Sequence, residues 1–495
     1  MGAGAGGVAI AFQYALVWSE SLRNNLLDAL HGHPTFGWAV LPLLGLVAGC
    51  LTGLGVAKLA PDAPGSGIPH IKAVLLRLRE LRWKTLLPVK FIGGVLGIGA
   101  GLSLGREGPT VQMGASVGAA VADMARIPRK SASQLISCGA GAGLAAAFNA
   151  PLAGVTFVIE ELQREFSSLT LGSALVAAVT ATVVTQSVTG MVPAFTIKGY
   201  PALPLTALWA AAVLGVVAGA VGVLFNRCLL AALKQAHAIK RIPAWTLPGI
   251  VCAVMGLIGW WMPDAIGGGH SVAQRLLSGQ MGATIGTLAL LAIAKLLTTV
   301  FSYASGAPGG IFAPMLLIGA LCGTIFAKVC VIAFPSLADH EQALAVLGMA
   351  AFFTASVRAP LTGIVLILEM TANYDQLFAL CIACLGAYLF AEAVEDRPIY
   401  EALFDYDLHR RGHGAGSAEP VRVFISVHHG SRMDGRRITE VGMPRGCLVV
   451  AVERVGRELL PAAELVLRAG DHITVLTPPE SPEHALTVVR LATDE

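Results

Sequence analysis

The sequence predicts an all-α polytopic membrane protein built from short, broken helices, followed by a small soluble α+β domain. Three observations support this fold class. The chain of 495 residues is 55% hydrophobic and only 13% charged, with a mean hydropathy of +0.70, which is too apolar for a soluble protein of this size. Glycine, proline and glutamate positions recur in the two halves of the chain at nearly fixed spacing. After Leu408 the long apolar runs stop, and short β-rich segments follow.

Charge and cysteine content narrow the function classes. The net charge of +3 is small and dispersed, so it does not indicate a nucleic-acid partner. The nine cysteines lie mostly inside apolar runs, which is typical of small buried hydrophobes in a reducing compartment. Cys381 and Cys384 have a zinc-like spacing but lack a second cysteine pair or nearby histidines. We therefore expect no metal, no cofactor and no nucleic acid.

The N-terminal segment, residues 1–32, shows no secretory signal. Within it, Phe12 to Leu30 predicts an amphipathic helix lying on the membrane surface. The first span is predicted over Gly37 to Ala60. Basic clusters at 77–84, 126–130 and 234–241 interrupt the apolar runs, which indicates cytoplasmic ends under the positive-inside rule. The alternative is that these clusters are solvated faces without topological meaning.

A turn-rich segment, 61–69, opens a helix of about ten residues that ends at the first basic cluster. At 1.5 Å per residue such a helix spans only about half of the hydrocarbon core, so its N-terminus should lie near the membrane midplane. Ser66 stands at this helix start. Two interpretations stay open here: a buried serine hydroxyl that serves a ligand, or an ordinary N-cap serine.

The stretch Gly105-Arg106-Glu107-Gly108-Pro109 places charges inside an apolar region. A carboxylate at membrane depth costs several kcal/mol unless it is compensated, so it is rarely present for packing. The two glycines permit close backbone approach, and Pro109 suits the first turn of a helix. A helix that begins there directs about half a positive charge at the preceding residues. We predict that Glu107 occupies an anion site in competition with an anion; the alternative is an acidic residue that merely complements the helix dipole.

Two matching sets of residues indicate a duplicated membrane unit. Gly105, Pro109, Gly114 and Gly118 recur as Gly310, Pro314, Gly319 and Gly323, each displaced by 205 positions (310 − 105). Residues 149–154 recur as 358–363, displaced by 209 (360 − 151), and each copy leads into an apolar stretch ending in glutamate. Short, interrupted segments of this kind are typical of transporters whose half-helices meet at a central site. The sequence does not reveal whether the copies are parallel or inverted.

The repeat also bears on the role of the central glutamate. Phe312 stands at the position that matches Glu107, so the repeated fold does not itself require a carboxylate there. Glu107 is therefore better explained by function than by packing.

The C-terminal residues form a separate region. Residues 409–420 are basic and glycine-rich, which predicts a flexible linker, and residues 421–495 predict a small α+β domain with strands near Val421 to Val427 and Leu448 to Val455. A domain of about seventy residues is marginally stable unless it pairs or docks.

The chain resembles the CLC family of chloride channels and proton/chloride antiporters over nearly all of Phe36 to Leu403. The motifs that carry this resemblance are Gly65-Ser66-Gly67-Ile68-Pro69, Gly105 to Pro109, Gly310-Ile311-Phe312-Ala313-Pro314 and a late tyrosine, Tyr400. The resemblance implies an inverted-repeat fold of many short, tilted and broken helices over residues 33–408, with repeats at about 36–200 and 201–403. It also implies a homodimer in a cell membrane, with chloride and protons as the transported ions, and a transporter or channel instead of an enzyme.

The resemblance assigns site residues by motif position. Ser66 and Tyr400 would supply hydroxyl groups to a central chloride, and the backbone N–H groups of Ile311 and Phe312 would complete its shell. The remaining residues assigned to chloride binding are Gly67, Ile68, Arg106 and Gly108. Apart from the resemblance, Tyr400 would more often be an interfacial aromatic.

Two glutamates match family positions that handle protons. Glu107 matches the gating glutamate, which fills the place of the anion when ionised and swings away when protonated. Glu161 matches the inner proton-transfer glutamate of antiporters; apart from the resemblance, a solvated carboxylate at a helix end is favoured. With both present, the sequence favours proton-coupled chloride antiport, with a passive chloride channel as the alternative.

Two further features refine this interpretation. The serine of the first motif favours chloride over nitrate, and the motifs disfavour the fluoride-selective branch. At the C-terminus, Met433 to Arg436, Val449 to Arg454 and Ala469 to Ile473 resemble a TrkA-C domain instead of the paired CBS domains of many relatives. This resemblance implies a cytoplasmic regulatory domain that binds a small ligand. A receptor that senses a ligand and transports nothing is the third hypothesis.

Overall fold

The computed structural model describes residues 1–32, 34–164, 167–197, 199–411, 421–454, 457–478 and 482–493. Most of the predicted linker, 412–420, lies outside these ranges. The chain divides into two compact units: residues 1–68 with 82–399, and residues 69–81 with 400–495. The second unit is therefore larger than the predicted domain 421–495, because two helical segments that precede the linker belong to it.

Helices dominate the described residues, and one π-helical turn, Val158–Gln163, follows α7. The α-helices are α1 (Gly2–His31), α2 (Pro34–Leu59), α3 (Ile68–Leu75), α4 (Trp83–Gly99), α5 (Glu107–Met124), α6 (Arg129–Phe148), α7 (Pro151–Phe157), α8 (Ser168–Thr189), α9 (Leu208–Ala238), α10 (Leu247–Trp261), α11 (His270–Leu277), α12 (Ile285–Ala304), α13 (Phe312–Ala333), α14 (Glu341–Val357), α15 (Pro360–Thr371), α16 (Leu377–Ala393), α17 (Ile399–Arg411) and α18 (Pro482–Thr493).

Seven helical segments among the described residues are long and apolar enough to cross a membrane. They are the segments 36–59, 168–189, 205–238, 244–261, 285–304, 312–333 and 374–393. Between them lie short helices such as α3, α7 and α11, which are too short to span a bilayer. The prediction of a polytopic helical protein with broken helices is confirmed.

Small residues allow the helices of the first unit to pack closely. On α2, Gly45 and Gly49 face α10, and a Cβ atom built onto Gly49 would lie 2.5 Å from the carbonyl oxygen of Pro248. Larger side chains would separate the two backbones, because membrane helices associate mainly through van der Waals packing at small residues. The close crossing of α2 and α10 therefore depends on the glycines at the contact, which have no side chains.

The N-terminal helix differs from the prediction. Instead of a surface helix over Phe12 to Leu30, α1 begins at Gly2 and packs against α4, α5, α6 and α8. It does so through small residues, and a Cβ atom on Gly6 would lie 2.7 Å from the carbonyl oxygen of Ala181. The buried residues of α1 are mostly glycines and alanines of its first half, which carry little apolar surface, so the sequence pattern did not reveal this packed face.

The two halves of the first unit are related by a pseudo-twofold. The chain contains two successive sets of eight α-helices, α1–α8 and α9–α16. The eight-residue helices α3 and α11 are displaced by 202 positions (270 − 68). At the centre, Gly105 and Gly310 form an antiparallel bridge, so helices α5 and α13 leave it in opposite directions. The repeat is inverted, as the family resemblance implies.

The second unit contains a four-stranded antiparallel sheet of order β1-β4-β2-β3. Its strands are β1 (Val421–Ser426), β2 (Leu448–Arg454), β3 (Arg457–Leu459) and β4 (His472–Thr477). Buried residues of the sheet, such as Val423 and Val475, share one hydrophobic core with Ala73 and Leu78 from the α3 segment and with Phe404 of α17. This shared core explains why residues 69–81 and 400–411 belong with the C-terminal domain.

Candidate anion and proton site

Three glycine-rich loops meet in the first unit, immediately before α3, α5 and α13. The N–H of Gly105 donates to the carbonyl of Gly310 at 2.6 Å, and the N–H of Gly310 donates back at 2.8 Å. The N–H of Gly65 donates to the carbonyl of Ala307 at 3.0 Å, and the N–H of Gly309 donates to the carbonyl of Gly65 at 3.0 Å. Backbone hydrogen bonds thus join the loops, so three helix starts are fixed close together.

The loops approach so closely that two positions require glycine. A Cβ atom on Gly108 would lie 2.8 Å from Cα of Ser66 and 3.0 Å from Cα of Gly310. Gly67 has a φ of +81°, and a Cβ there would lie 2.2 Å from the side-chain amide carbon of Gln112. A side chain at position 108 would force the loops apart, because backbone atoms cannot rotate away. At position 67 the positive φ itself disfavours a residue with a Cβ.

Helix N-termini supply the polar groups of this junction. The first N–H groups of a helix lack intrahelical partners and carry partial positive charge, so converging helix starts form an anion-binding environment. Ser66 is fully buried, and its hydroxyl oxygen accepts from the N–H of Ile68 at 3.4 Å. Ile311 and Phe312 are also buried, at the start of α13. Phe312 packs against Phe353, with 4.5 Å between ring centroids.

The carboxylate of Glu107 lies within this junction. The side chain is buried, and its carboxyl group lies beside the backbone N–H of Ala313, in the first turn of α13. A Cβ atom on Gly105 would lie 2.2 Å from Oε2 of Glu107 and 3.1 Å from the Ala313 nitrogen, so these groups converge on one point. Within the described residues Oε2 has no hydrogen-bond partner that meets standard geometry. A carboxyl group thus occupies the place where the helix starts converge.

Arg106 anchors the loop without forming a close ion pair. Its Nη2 donates to the carbonyl of Ala147 at 3.2 Å, and its Nε lies 4.0 Å from Oε1 of Glu107. A carboxylate with only a distant counter-charge is easier to displace than one in a bidentate pair, because less interaction is lost when it moves. The geometry therefore suits a mobile carboxylate.

A buried lysine supports the first loop, and the sequence interpretation missed its role. Lys90 is fully buried, and its ammonium donates to the carbonyls of Ala63 at 2.8 Å and Gly65 at 2.6 Å. Its repeat mate Lys295, displaced by 205 positions (295 − 90), donates to the carbonyl of Gly267 at 2.6 Å. The displacement equals that of the glycine motifs, so the repeat itself was the signal that could have identified this pair.

Glu161 lies on a different element of the first unit, the π-helical turn after α7. Its side chain is 2% exposed, whereas the neighbouring Glu160 is half-buried. Single π-helical turns inside helices often mark functional sites. A solvated carboxylate at a helix end, the alternative favoured by the sequence pattern alone, does not describe this buried side chain.

Tyr400 belongs to the second unit. It stands in the first turn of α17, and its side chain is fully buried. The interfacial aromatic that the isolated residue suggested is therefore not what the structure contains.

Comparison with known proteins agrees with this architecture. The family described as voltage gated chloride channel matches residues 44–392, and the TrkA-C domain matches residues 423–486. The H(+)/Cl(-) exchange transporter ClcA of Citrobacter koseri is 39% identical over 402 residues, which cover 80% of this chain and 85% of that protein. ClcA of Cronobacter sakazakii is 39% identical over 405 residues, covering 81% and 86%.

Solved structures show the same fold. The crystal structure of a slow cyanobacterial Cl-/H+ antiporter is 34% identical with a TM-score of 0.79, covering 83% of this chain and 96% of that one. A CLC-type fluoride/proton antiporter is 25% identical with a TM-score of 0.66, covering 79% and 93%. The family profile spans more than half of the sequence and the relatives match along most of their own length. The chain therefore belongs to the voltage gated chloride channel family, the CLC family, and carries a TrkA-C domain at its C-terminus.

Proposed function

We propose that this protein exchanges chloride for protons across a membrane, with Glu107 as the gate. The observation that carries the proposal is the buried carboxylate of Glu107 beside the N–H of Ala313, at the meeting point of three helix starts. The similar ClcA proteins are named proton/chloride exchange transporters, and a similar solved structure is a Cl-/H+ antiporter. Chloride transport coupled to protons is the function that joins these facts.

The chloride shell follows from the helix starts. A desolvated chloride needs several donors but no full counter-charge, because it must also leave again. The hydroxyl of Ser66 supplies one donor, and backbone N–H groups at the starts of α3, α5 and α13 supply others; the hydroxyl of Tyr400 is added on the family resemblance alone. The residues proposed to contribute to chloride binding are Ser66, Gly67, Ile68, Arg106, Gly108, Ile311, Phe312 and Tyr400.

Coupling follows from one side chain that both blocks the pore and carries a proton. When Glu107 is ionised, its carboxylate takes the place of an anion among the N–H groups. When it is protonated, its affinity for those donors falls, and the side chain leaves the site to a chloride. Each cycle thus moves a proton one way and chloride the other way.

We propose that Glu161 passes protons between Glu107 and the aqueous solution on the inner side of the membrane. It is a buried carboxylate on a π-helical turn. Burying a carboxylate inside a membrane protein costs free energy, which supports a role in proton transfer. Removal of the Glu161 carboxylate should abolish proton movement but not chloride movement.

The surroundings of the transporter are proposed from the family. The protein is a multi-pass membrane transporter, and we place it in the cell membrane as a homodimer with one pore in each subunit. The TrkA-C domain lies on the cytoplasmic side, where it binds a small ligand and modulates transport.

Simultaneous recording of pH and chloride in vesicles tests the function. With purified protein and an imposed chloride gradient, we expect wild-type protein to move protons uphill. Glu107→Gln and Glu161→Gln should each abolish proton movement while chloride still moves. Glu341→Gln, a partly exposed glutamate at the start of α14, serves as the control and should behave as wild type. Chloride flux without proton movement in the wild type would contradict the proposal.

The other two hypotheses give different results in the same preparation. A passive channel would show single-channel current steps with a reversal potential that follows chloride alone. A receptor would show no flux in any variant. Deletion of residues 421–495 should preserve exchange with altered regulation if the C-terminal domain is a modulator.

A further inference from the structure

Two glutamates form a reciprocal pair of helix caps between the repeats. Both oxygens of Glu369, at the end of α15, accept backbone N–H groups at the start of α7: Leu152 at 3.0 Å and Ala153 at 2.8 Å. Both oxygens of Glu160, beyond the end of α7, accept the N–H groups of Leu361 at 3.0 Å and Thr362 at 2.6 Å at the start of α15. Each half-helix therefore caps the other.

The caps are related by the repeat. The displacement of 209 positions joins the two glutamates (369 − 160) and also the two residues that donate first (361 − 152). When a contact between two residues recurs between the residues at the matching positions of the other repeat, the two repeats are related by a twofold axis. A carboxylate on unpaired N–H groups at a helix start is favourable through charge-assisted hydrogen bonds and the helix dipole. The pair thus locks α7 and α15 together.

The cap formed by Glu160 is the stronger of the two. The hydroxyl of Thr362 adds a third bond to its Oε2 at 2.7 Å, whereas the mate of Thr362 is Ala153, which has no hydroxyl. Glu160, which forms the stronger cap, is followed by a second glutamate, Glu161. Glu369 is followed by Met370. The reinforcement and the additional carboxylate occur together.

The first repeat also contains one additional residue at this point. The left-handed residue that ends the segment stands 13 positions after the N1 proline in the first repeat (164 − 151) and 12 positions after it in the second (372 − 360). The first segment accommodates the extra residue as the π-helical turn Val158–Gln163, while α15 remains α-helical to Thr371. The hydrogen bonds of a π-helical turn run from i to i+5 instead of i to i+4, so such a turn takes up one extra residue.

We infer that Glu160 is a positioning residue: its cap on α15 holds the π-helical turn so that the adjacent Glu161 side chain stays buried in the protein. Neighbouring side chains on a helix project in different directions, so fixing one of them fixes the direction of the other. With Glu160 tied to α15, rotation of the turn cannot bring Glu161 to the surface. This inference rests on the proposed proton-transfer role of Glu161.

The experiment compares the two caps in reconstituted full-length protein, with proton and chloride fluxes measured together. Glu160→Gln loses the charge and one acceptor oxygen of its cap, and Glu369→Gln loses the same groups of the mate cap. Since a 1 Å misplacement of a reacting group can cost about 100-fold in rate, we expect Glu160→Gln to lower proton flux at least about 10-fold while chloride flux stays within about threefold. Glu369→Gln should also lower thermal stability, though less than Glu160→Gln because its cap has two bonds instead of three, and it should keep the wild-type ratio of protons to chloride.

A milder pair of variants covers the case in which Glu160→Gln fails to fold. Thr362→Val removes the hydroxyl but keeps the shape, and Thr362→Ser keeps the hydroxyl. We expect Thr362→Val to lower the proton-to-chloride ratio and Thr362→Ser to retain it. Equal ratios for Glu160→Gln and Glu369→Gln, or for the two Thr362 variants, would overturn the inference while leaving antiport intact. A wild type that moves no protons would instead overturn the proposed function itself.

Discussion

Replacing Gly108 with alanine tests whether contact between the three loops builds the anion site. The new Cβ would lie 2.8 Å from both Cα and Cβ of Ser66 and 3.0 Å from Cα of Gly310. Separations this short require the backbone of at least one loop to shift. Inserting a methyl group into a packed region costs about 1–3 kcal/mol. If the strain displaces the donors of the anion site, a free-energy change of that size lowers chloride affinity or transport rate roughly 5–150-fold.

The assay is chloride efflux from vesicles at equal protein density, together with thermal unfolding of the purified protein. We expect Gly108→Ala to lower both the efflux rate and the unfolding temperature. Gly55→Ala is the matched control, because no atom lies within 4 Å of a Cβ at that glycine of α2, so both quantities should stay near wild type or rise slightly. Wild-type efflux and stability in Gly108→Ala would refute the account of the loop junction.

Three further predictions follow from other contacts. Lys90→Met should destabilise the protein by about 1–3 kcal/mol, since it leaves a buried carbonyl without its donor, and chemical denaturation of the purified protein measures this loss. The hydrogen bond from the N–H of Gly430 is the largest cause that holds the pKa of Asp434 below its usual value. Ionised Asp434 therefore stabilises the folded domain above about pH 4, and this stabilisation is lost as the pH falls further. Pepsin cleavage of the C-terminal domain should therefore increase below pH 4, and Asp434→Asn should remove this dependence. Gly49→Leu should reduce the yield of folded protein by separating α2 from α10, whereas Gly55→Leu should not.

The sequence allowed the repeat to be predicted because its signal is steric. The glycines that recur lie at helix crossings: a Cβ atom on Gly114 would lie 2.2 Å from the carbonyl of Gly139, and one on Gly319 would lie 2.5 Å from the carbonyl of Gly348. Positions that tolerate no Cβ remain glycine in both copies of a duplicated fold. The same reasoning made Glu107 stand out, since its mate Phe312 shows that the backbone needs no carboxylate there.

Other parts of the fold could not be predicted because they depend on contacts that are distant in sequence. The matching glutamates Glu160 and Glu369 were visible as ends of apolar stretches, but their reciprocal capping requires the twofold axis to be known. Likewise, the compact unit that contains the C-terminal domain extends beyond residues 421–495, because its core includes Leu78 from the first basic cluster and Phe404 of α17. Composition describes a segment, whereas a domain boundary depends on where that segment packs.

The direct test of the central claim is the position of a halide in crystals of Glu107→Gln grown with bromide. Bromide is located by its anomalous scattering, and the neutral side chain should no longer compete for the N–H groups at the loop junction. We predict a bromide beside the N–H of Ala313, where the wild-type carboxylate lies, and none at that point in wild-type crystals. A variant that transports chloride but holds bromide only elsewhere would contradict the account.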